Sequence, residues 1–247
     1  MFETSLLILS AFLAGGLNSI AGGGSFLTFP ALVYVGLPSV SANATSAVVV
    51  FPAYLSGTFG FMKELKNFGL KPLLTLVFIS IAGGVLGATL LLITPNEIFR
   101  TIVPYLLIFA TALFAFGDKI TALLPRNRVL TPFKSNAISL IVTTYGGYFN
   151  GGLGIVLLSL FSVLGFKDIN LMNGLKNLLS FILSIASIVT FTIAGIINWD
   201  WALIMMISAT VGGYVGALLA RKLSKEMVRR IIVVVGILMA IAFFVTS

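Results

Sequence analysis

Long apolar runs, separated by short stretches that carry the charges, dominate the pattern of this chain. Eight runs lie at about residues 5–35, 41–62, 70–93, 97–117, 136–165, 171–197, 201–220 and 228–246. Each is long enough to cross a bilayer, which takes about 20 apolar residues in an α-helix. They lack the alternation of a β-barrel strand, so they predict helices, which satisfy their own backbone hydrogen bonds in lipid. The predicted fold class is an all-α polytopic membrane protein.

The first run is interrupted by glycines at its centre. The stretch GGLNSIAGGGSFLTFP, residues 15–30, holds three consecutive glycines and an Asn-Ser pair. Glycine allows the chain to reverse direction inside the membrane, which is tolerated only where protein or water surrounds the irregular backbone. The run 136–165 holds a related break, NGGLG at 150–154. The alternative for the first run is a single bent helix of 31 residues.

The two halves of the chain resemble each other. A shift of 129 places superimposes Gly83-Gly84-x-x-Gly87 on Gly212-Gly213-x-x-Gly216. Shifts of 128 to 130 also lay Gly23-Gly24 over Gly151-Gly152 and Asn43-Ala44 over Asn173-Gly174. We therefore predict an N-terminal repeat at 1–117, a cytoplasmic linker at 118–135 and a C-terminal repeat at 136–247. Each repeat consists of a glycine-broken, re-entrant helix followed by three transmembrane helices.

The charges predict how the repeats are oriented. Lysine and arginine are concentrated in the connections 63–71, 119–134 and 221–230, which the positive-inside rule assigns to the cytoplasm. These three connections share one side only if the run 136–165 enters and leaves by the same face. Three true crossings per half then make the repeats inverted and put both termini outside. Inverted repeats with broken helices are common in secondary transporters.

Composition excludes several classes of function. The chain is 59% hydrophobic and 9% charged, and it has no Cys and no His. Disulfides, thiol relays and the commonest metal ligands are therefore absent, and neither a metal nor a cofactor is indicated. No nucleophile is accompanied by a base, so we do not expect an enzyme. The net charge of +8 lies mainly in the connections, where it sets orientation rather than binding nucleic acid.

The breaks predict an anion site. Half-helices that start near Ser25 and Gly154 would point free N–H groups at the bilayer midplane, and such ends attract anions. Neutral polar side chains at the tips either bind the anion or only cap the break. They are Asn18, Ser19, Ser25 and Asn150.

A polar cluster opens the helix after each break: SANATSA at 41–47 and LMNGLKN at 171–177. Lys176 lies inside an apolar helix, where an ionisable group is costly enough to suggest a function. It either faces the substrate, together with Asn177 on the same polar face, or extends to the cytoplasmic surface. All seven carboxylates lie at segment ends or in connections, so an anionic substrate is favoured over a cation.

At these residues the sequence resembles the TauE/SafE family of sulfite exporters. The resemblance is carried by AGGLNSIAGGGSFLTFPAL at 14–32, SANATS at 41–46, NGLKNLLS at 173–180 and GGYVGALLARKLS at 212–224. It implies a small transporter of a bacterial or archaeal cytoplasmic membrane, associated with sulfite, sulfoacetate and related anions. It also implies that the motif residues surround the transport path: Gly22, Gly23, Gly24, Asn43, Thr45, Ser46, Asn173 and Lys176.

We therefore predict a secondary transporter that moves a small anion, such as sulfite, sulfoacetate or another organosulfonate, by alternating access. Asn150, Gly151, Gly152 and Gly154 complete the predicted site in the second half. The partners are the anion, the lipid bilayer and a coupling ion, H⁺ or Na⁺. An anion channel, a transporter of a small carboxylate and an assembly subunit are the alternatives.

Overall fold

A computed structural model describes residues 2–21, 23–123, 131–220 and 225–246 of the chain. Every regular element in these ranges is an α-helix, which confirms the all-α class. In chain order the helices are α1 (Phe2–Ala21), α2 (Ser25–Tyr34), α3 (Ser39–Gly60), α4 (Met62–Asn67), α5 (Leu70–Ile93), α6 (Asn96–Leu123), α7 (Pro132–Tyr148), α8 (Leu153–Val163), α9 (Ile169–Ile193), α10 (Trp199–Ala220) and α11 (Lys225–Thr246).

The helices follow the apolar runs closely. Helix α5 has the same ends as the predicted run 70–93, and α3, α10 and α11 each begin two or three residues before theirs. Helix α6 continues to Leu123 and α7 begins at Pro132, so both extend into the predicted linker.

Three of the described helices are long and apolar enough to cross a membrane. These spans are Leu70–Ile93, Asn96–Leu113 and Ile169–Ile193. Helix α3 has sufficient length, but the polar cluster in its first turns lowers its mean hydropathy. Helices α2 and α8 are apolar but have only 10 and 11 residues, about half of a full crossing at 1.5 Å per residue.

Each glycine-broken run forms two helices. Residues 22–24 separate α1 from α2, and residues 149–152 separate α7 from α8. Glycine is needed at the two breaks for different reasons. Gly152 has a φ of 70°, in the left-handed region that glycine adopts without strain. Gly24 is right-handed, but a Cβ there would lie 2.9 Å from the carbonyl oxygen of Ala14.

Small residues bring two pairs of helices into close contact. In the pair α5 and α7, a Cβ at Gly147 would lie 2.6 Å from the carbonyl oxygen of Gly84. In the pair α1 and α10, the Cα of Gly16 lies directly against Gly216. Small residues spaced four apart on these helices let the helix backbones approach each other.

Each main contact between a helix of the first half and a helix of the second half has a counterpart under the repeat. If α1, α2, α3, α5 and α6 correspond to α7, α8, α9, α10 and α11, then the pair α1 and α10 corresponds to α7 and α5. Likewise α3 packs on α10 as α9 packs on α5. Helices α3 and α9 contact each other, as do α6 and α11, so each of these pairs corresponds to itself.

The relative directions of three helix pairs follow from their contacts. Gly57 lies against Asn177 and Phe51 stacks on Phe181 at 5.3 Å, so α3 and α9 are antiparallel. The Ser208 hydroxyl of α10 donates to the Ile8 carbonyl of α1, and further along both helices Gly216 meets Gly16. Helices α1 and α10 are therefore parallel. By the same reasoning α5 and α7 are parallel, because Gly83 meets Thr143 and Gly87 meets Gly147.

The bundle has two ends that differ in charge. At one end, here called the basic end, Phe68 packs on Phe166 with ring centroids 5.5 Å apart. This contact brings α4 and the start of α5 to the α8–α9 connection, and these segments carry Lys63, Lys66, Lys71 and Lys167. At the other end, here called the opposite end, the connections 35–38, 94–96 and 194–198 meet. There Val40 N–H donates to Asn96 Oδ1 at 3.0 Å, and Ser41 Oγ donates to the Ile196 carbonyl at 2.6 Å.

The short helix α4 was not predicted. It has six residues, MKELKN, and only Leu65 is buried, against Gly174 of α9. Its lysines and its length made this stretch indistinguishable from a loop in the sequence.

Candidate functional site

Both breaks lie against the middle of α3. A Cβ at Gly24, in the first break, would lie 3.2 Å from Val50. In the second break, Oδ1 of Asn150 accepts a 2.8 Å hydrogen bond from the Tyr54 hydroxyl. Val50 and Tyr54 are one helical turn apart and share one side of α3. The two interruptions of the fold therefore converge on one segment of one helix.

The two broken segments also touch each other. Phe149 of the second break packs edge-on against Phe29 of α2, with ring centroids 5.9 Å apart. Phe29 in turn stacks on Phe243 of α11 and contacts Phe99 of α6. This aromatic cluster fixes α2 and the second break relative to each other.

The second break is held by hydrogen bonds on both sides of Asn150. Nδ2 of Asn43 donates to the Tyr148 carbonyl at the end of α7, at 2.9 Å. The Tyr145 hydroxyl donates to the Gly151 carbonyl at 2.6 Å. Gly152 is the N-terminal cap residue of α8, and its carbonyl accepts from Ile155 N–H at 3.0 Å. The predicted residues Asn150, Gly151, Gly152 and Gly154 are all buried here.

The first break borders a small cavity. Asn18 lies in the last described turns of α1, and its Oδ1 is buried without a hydrogen-bond partner. The cavity has a volume of about 70 Å³. It is lined by α1, α3 and α10, through Gly15, Asn18, Val49, Val50, Pro52, Ala53, Ser56, Ala209, Thr210 and Gly213. Gly22 and the side chain of Ser19 lie outside the described residues, whereas Gly23, Gly24 and Ser25 are buried.

The polar cluster at the start of α3 joins neighbouring segments. Thr45 Oγ1 accepts from the Asn198 N–H at 3.1 Å, next to the bond from Ser41 to the α9–α10 connection. Ser46 Oγ and Thr28 Oγ1 of α2 are 2.6 Å apart. Asn43 reaches the end of α7 as described above. All four side chains are thus engaged with other parts of the protein, a structural role in addition to any contact with a substrate.

The second polar cluster lies at the basic end, in the first turns of α9. Asp168 caps this helix by accepting from Asn170 N–H at 2.9 Å. Lys176 is half-buried, and its Nζ donates to Asn173 Oδ1 at 3.2 Å. Asn177 lies against Gly57 of α3.

The predicted site residues therefore form three groups. One is at the breaks, one is at the start of α3 near the opposite end, and one is at the start of α9 near the basic end. Because α3 and α9 are antiparallel, the two polar clusters are far apart along the bundle. The breaks lie between them.

Carboxylates described by the structure stay away from the breaks. Glu97 and Asp200 are exposed in the first turns of their helices, and Asp168 is exposed at the N-terminal cap of α9. The side chains of Asp118 and Glu226 lie outside the described residues.

Comparison with known proteins decides the family. Residues 7–243 match the model of the sulfite exporter TauE/SafE family. The chain belongs to the TauE/SafE family. It is a membrane transporter, and no solved structure matches it.

Several relatives align with the chain over most of their length. A probable membrane transporter protein, ORF9, of a Sinorhizobium species is 29% identical over 96% of this chain and 90% of its own. A probable membrane transporter protein of Haemophilus influenzae is 26% identical over 95% of this chain and 92% of its own. The probable membrane transporter protein YfcA of Escherichia coli is 27% identical over 95% of this chain and 87% of its own.

Some polar groups of this TauE/SafE chain were missed as site residues. Tyr54 lies in an apolar stretch of α3 and bonds to Asn150. A tyrosine in such a stretch indicates a buried hydroxyl that needs a hydrogen-bond partner, and this pattern could have identified it from the sequence. Thr28 and Asn198 gave no such signal, because each has its partner on a remote segment.

Proposed function

We propose that this TauE/SafE transporter is a carrier of a small anion, most specifically a sulfur-containing anion such as sulfite, sulfoacetate or another organosulfonate. The observation that supports it best is the convergence of both breaks on the middle of α3, through Val50 and Tyr54. Interrupted helices that meet inside a membrane bundle are the usual place of a substrate site in secondary transporters. The sulfur-containing class rests on the family.

The proposed topology is an inverted repeat with two re-entrant helix pairs. Support comes from helix direction: α1 is parallel to α10, whereas α2 and α3 form a hairpin joined at Thr28 and Ser46. Since α10 and α3 are each antiparallel to α9, α1 and α2 would run in opposite directions. The same argument, applied to α5, α7 and α9, indicates that α7 and α8 also run in opposite directions.

The proposed orientation puts the basic end in the cytoplasm. The lysines of α4, of the start of α5 and of the α8–α9 connection share this end, as the positive-inside rule requires. Both termini would then lie outside a bacterial or archaeal cytoplasmic membrane.

The anion would meet donors rather than a full counter-charge at the breaks. The backbone N–H groups of Gly24 and Ser25 lie at the N-terminus of α2, and that of Gly154 lies at the N-terminus of α8. These N–H groups would donate to an anion held between the breaks and the middle of α3. Asn18 lies beside the first break, and its Nδ2 would donate to the anion, whereas its Oδ1 can only accept. Lys176, held by Asn173 near the basic end, would attract the anion as it enters or leaves. A coupling ion, H⁺ or Na⁺, and the surrounding lipid are the other proposed partners.

A thermal-shift screen of the purified protein tests the substrate class. A ligand that binds the native state raises the unfolding midpoint in proportion to its saturation. We expect sulfite or an organosulfonate such as sulfoacetate to raise it, and chloride at equal ionic strength to leave it unchanged. A shift with small carboxylates alone would contradict the sulfur-containing class.

A further inference from the structure

Two helix contacts that correspond under the repeat have different packing. The shift of 129 places Gly84 of α5 on Gly213 of α10. The shift of 130 places Ala53 and Ser56 of α3 on Leu183 and Ala186 of α9. The contact of α5 with α9 is therefore the counterpart of the contact of α10 with α3.

The contact between α5 and α9, here called the α5–α9 seam, is closed. A Cβ at Gly84 would lie 2.6 Å from the carbonyl oxygen of Leu183 and 3.0 Å from the Cβ of Ala186. One turn further along α9, Ser187 Oγ donates to the carbonyl of Gly84 at 3.2 Å. No room for a ligand remains between these atoms.

The corresponding contact between α3 and α10 is open. Gly213, Ala53 and Ser56, the counterparts of the three residues that touch in the seam, line the cavity of about 70 Å³ beside Asn18. The same places in the two halves are thus filled in one and empty in the other. An inverted-repeat carrier in one of two access states has this kind of asymmetry.

Three hydroxyls in the closed half have no partner. Ser80, Ser180 and Ser184 are at most 1% exposed, and the Oγ of each lacks a hydrogen bond. Ser80 is one turn from Gly84 on α5, and Ser180 and Ser184 share the side of α9 that carries Ser187. Several other buried hydroxyls of this bundle bond to the carbonyl one turn earlier, as Ser139 does to Ser135 at 2.8 Å, whereas Thr111 of α6 lacks a partner like the three serines.

Two of the three unpartnered serines occupy positions that line the cavity in the other half, whereas Ser184 corresponds to Tyr54, whose hydroxyl donates to Asn150. Ser80 corresponds to Ala209 and Ser180 to Val50, both of which line the cavity. A buried hydroxyl without a partner is uncommon in folded proteins, and three along one seam indicate groups that find their partner in another state.

We propose that the α5–α9 seam is a gate, closed in this state, and that Ser80, Ser180 and Ser184 donate hydrogen bonds to the anion when it opens. The inference rests on the proposed function in one respect, the anionic nature of the cargo. Opening of the seam is accompanied by closure of Gly213 onto Ala53 and Ser56, so that the two halves exchange their packing.

Single cysteines test the gate without knowledge of the substrate, because the chain has no cysteine of its own. Ser80→Cys, Ser180→Cys and Ser184→Cys are each treated in native membranes with a small anionic methanethiosulfonate reagent that does not cross lipid. Ser139→Cys is the matched control, since Ser139 is equally buried but lies on α7 with its hydroxyl bonded. We expect the seam cysteines to react at least ~10-fold faster than the control, because the rate follows the population of the open state. Equal rates at all four positions would overturn the proposal.

A cross-link tests the link between gate and transport. In the pair Gly84→Cys with Ala186→Cys the two Cβ atoms would start 3.0 Å apart, and a small separation of the helices, which the contact of Gly84 with the Leu183 carbonyl also requires, brings them to the roughly 3.8 Å of a disulfide. Oxidation is expected to stop flux and dithiothreitol to restore it, and an oxidised pair with normal flux would contradict the gate. If this pair fails to fold, the single cysteines still decide. Fast labelling that sulfite does not slow would support the gate and count against sulfite as the cargo.

Discussion

Oδ1 of Asn150 accepts a 2.8 Å hydrogen bond from the hydroxyl of Tyr54, which joins the second break to the middle of α3. Both residues are buried, so neither group has water as an alternative partner. This bond connects an irregular segment of the second half to a regular helix of the first half. The position of the second break depends on it.

Removal of that hydroxyl should destabilise the protein. Tyr54→Phe leaves the Asn150 oxygen buried without a donor, which costs about 1–3 kcal/mol of unfolding free energy. We expect a lower unfolding midpoint in detergent, with Tyr214→Phe, whose ring is exposed, as the unchanged control. In a double-mutant cycle, Tyr54→Phe should cost much less in an Asn150→Ala background. Equal costs in both backgrounds would show that the bond does not stabilise the break.

The glycine contact between α5 and α7 gives a second prediction. In Gly147→Ala the new Cβ meets backbone oxygens of Gly84 and Gly83 at 2.6 and 2.9 Å, and backbone atoms cannot move aside without separating the helices. Overpacking of this kind costs about 1–3 kcal/mol. Gly60→Ala is the control, because a Cβ there meets nothing within 4 Å. An unchanged midpoint for Gly147→Ala would contradict the close packing of these helices.

Helices and breaks could be predicted from the sequence because both depend on local pattern. The run 70–93 is uniformly apolar and became α5 with the same ends, and the glycines around Gly24 and Gly152 became the two breaks. Each of these features needs only a residue and its chain neighbours.

Contacts between remote segments could not be predicted in the same way. Thr45 and Ser46 were identified as polar residues near a path, but their partners, Asn198 N–H and Thr28, follow from how the helices pack. The same holds for Lys176, whose position near the basic end separates it from Asn43 once α3 and α9 are known to be antiparallel. Helix α4 was missed because six residues are too few for a periodic pattern.

The unpartnered hydroxyls predict a separation of stability from transport. Ser184→Ala removes a buried hydroxyl that has no bond, so the unfolding midpoint should stay the same or rise. Its flux should fall, because the open gate loses a donor. Ser139→Ala, at an equally buried hydroxyl that is bonded within its own helix, should keep normal flux. A lower midpoint for Ser184→Ala with unchanged flux would contradict the role given to Ser184.

The proposed orientation predicts which loops face the outside. Asp200→Cys and Lys167→Cys are exposed positions at the opposite end and the basic end of the bundle. An impermeant thiol reagent added to intact cells should label Asp200→Cys at once and Lys167→Cys only after the membrane is permeabilised. The reverse pattern would show that the protein has the opposite orientation in the membrane. Labelling of both positions in intact cells would contradict the assignment of the two ends to opposite faces of the membrane.

Exchange of radiolabelled sulfite in proteoliposomes tests the central claim most directly. Vesicles loaded with unlabelled sulfite should transiently accumulate the label above equilibrium, since a carrier that exposes one site to alternate faces exchanges its cargo. Lys176→Met should lose this accumulation while remaining folded, and Lys66→Met, at an exposed position of the same end, should keep it. Flux without accumulation, or accumulation that persists at full size in Lys176→Met, would contradict a carrier in which Lys176 attracts the anion.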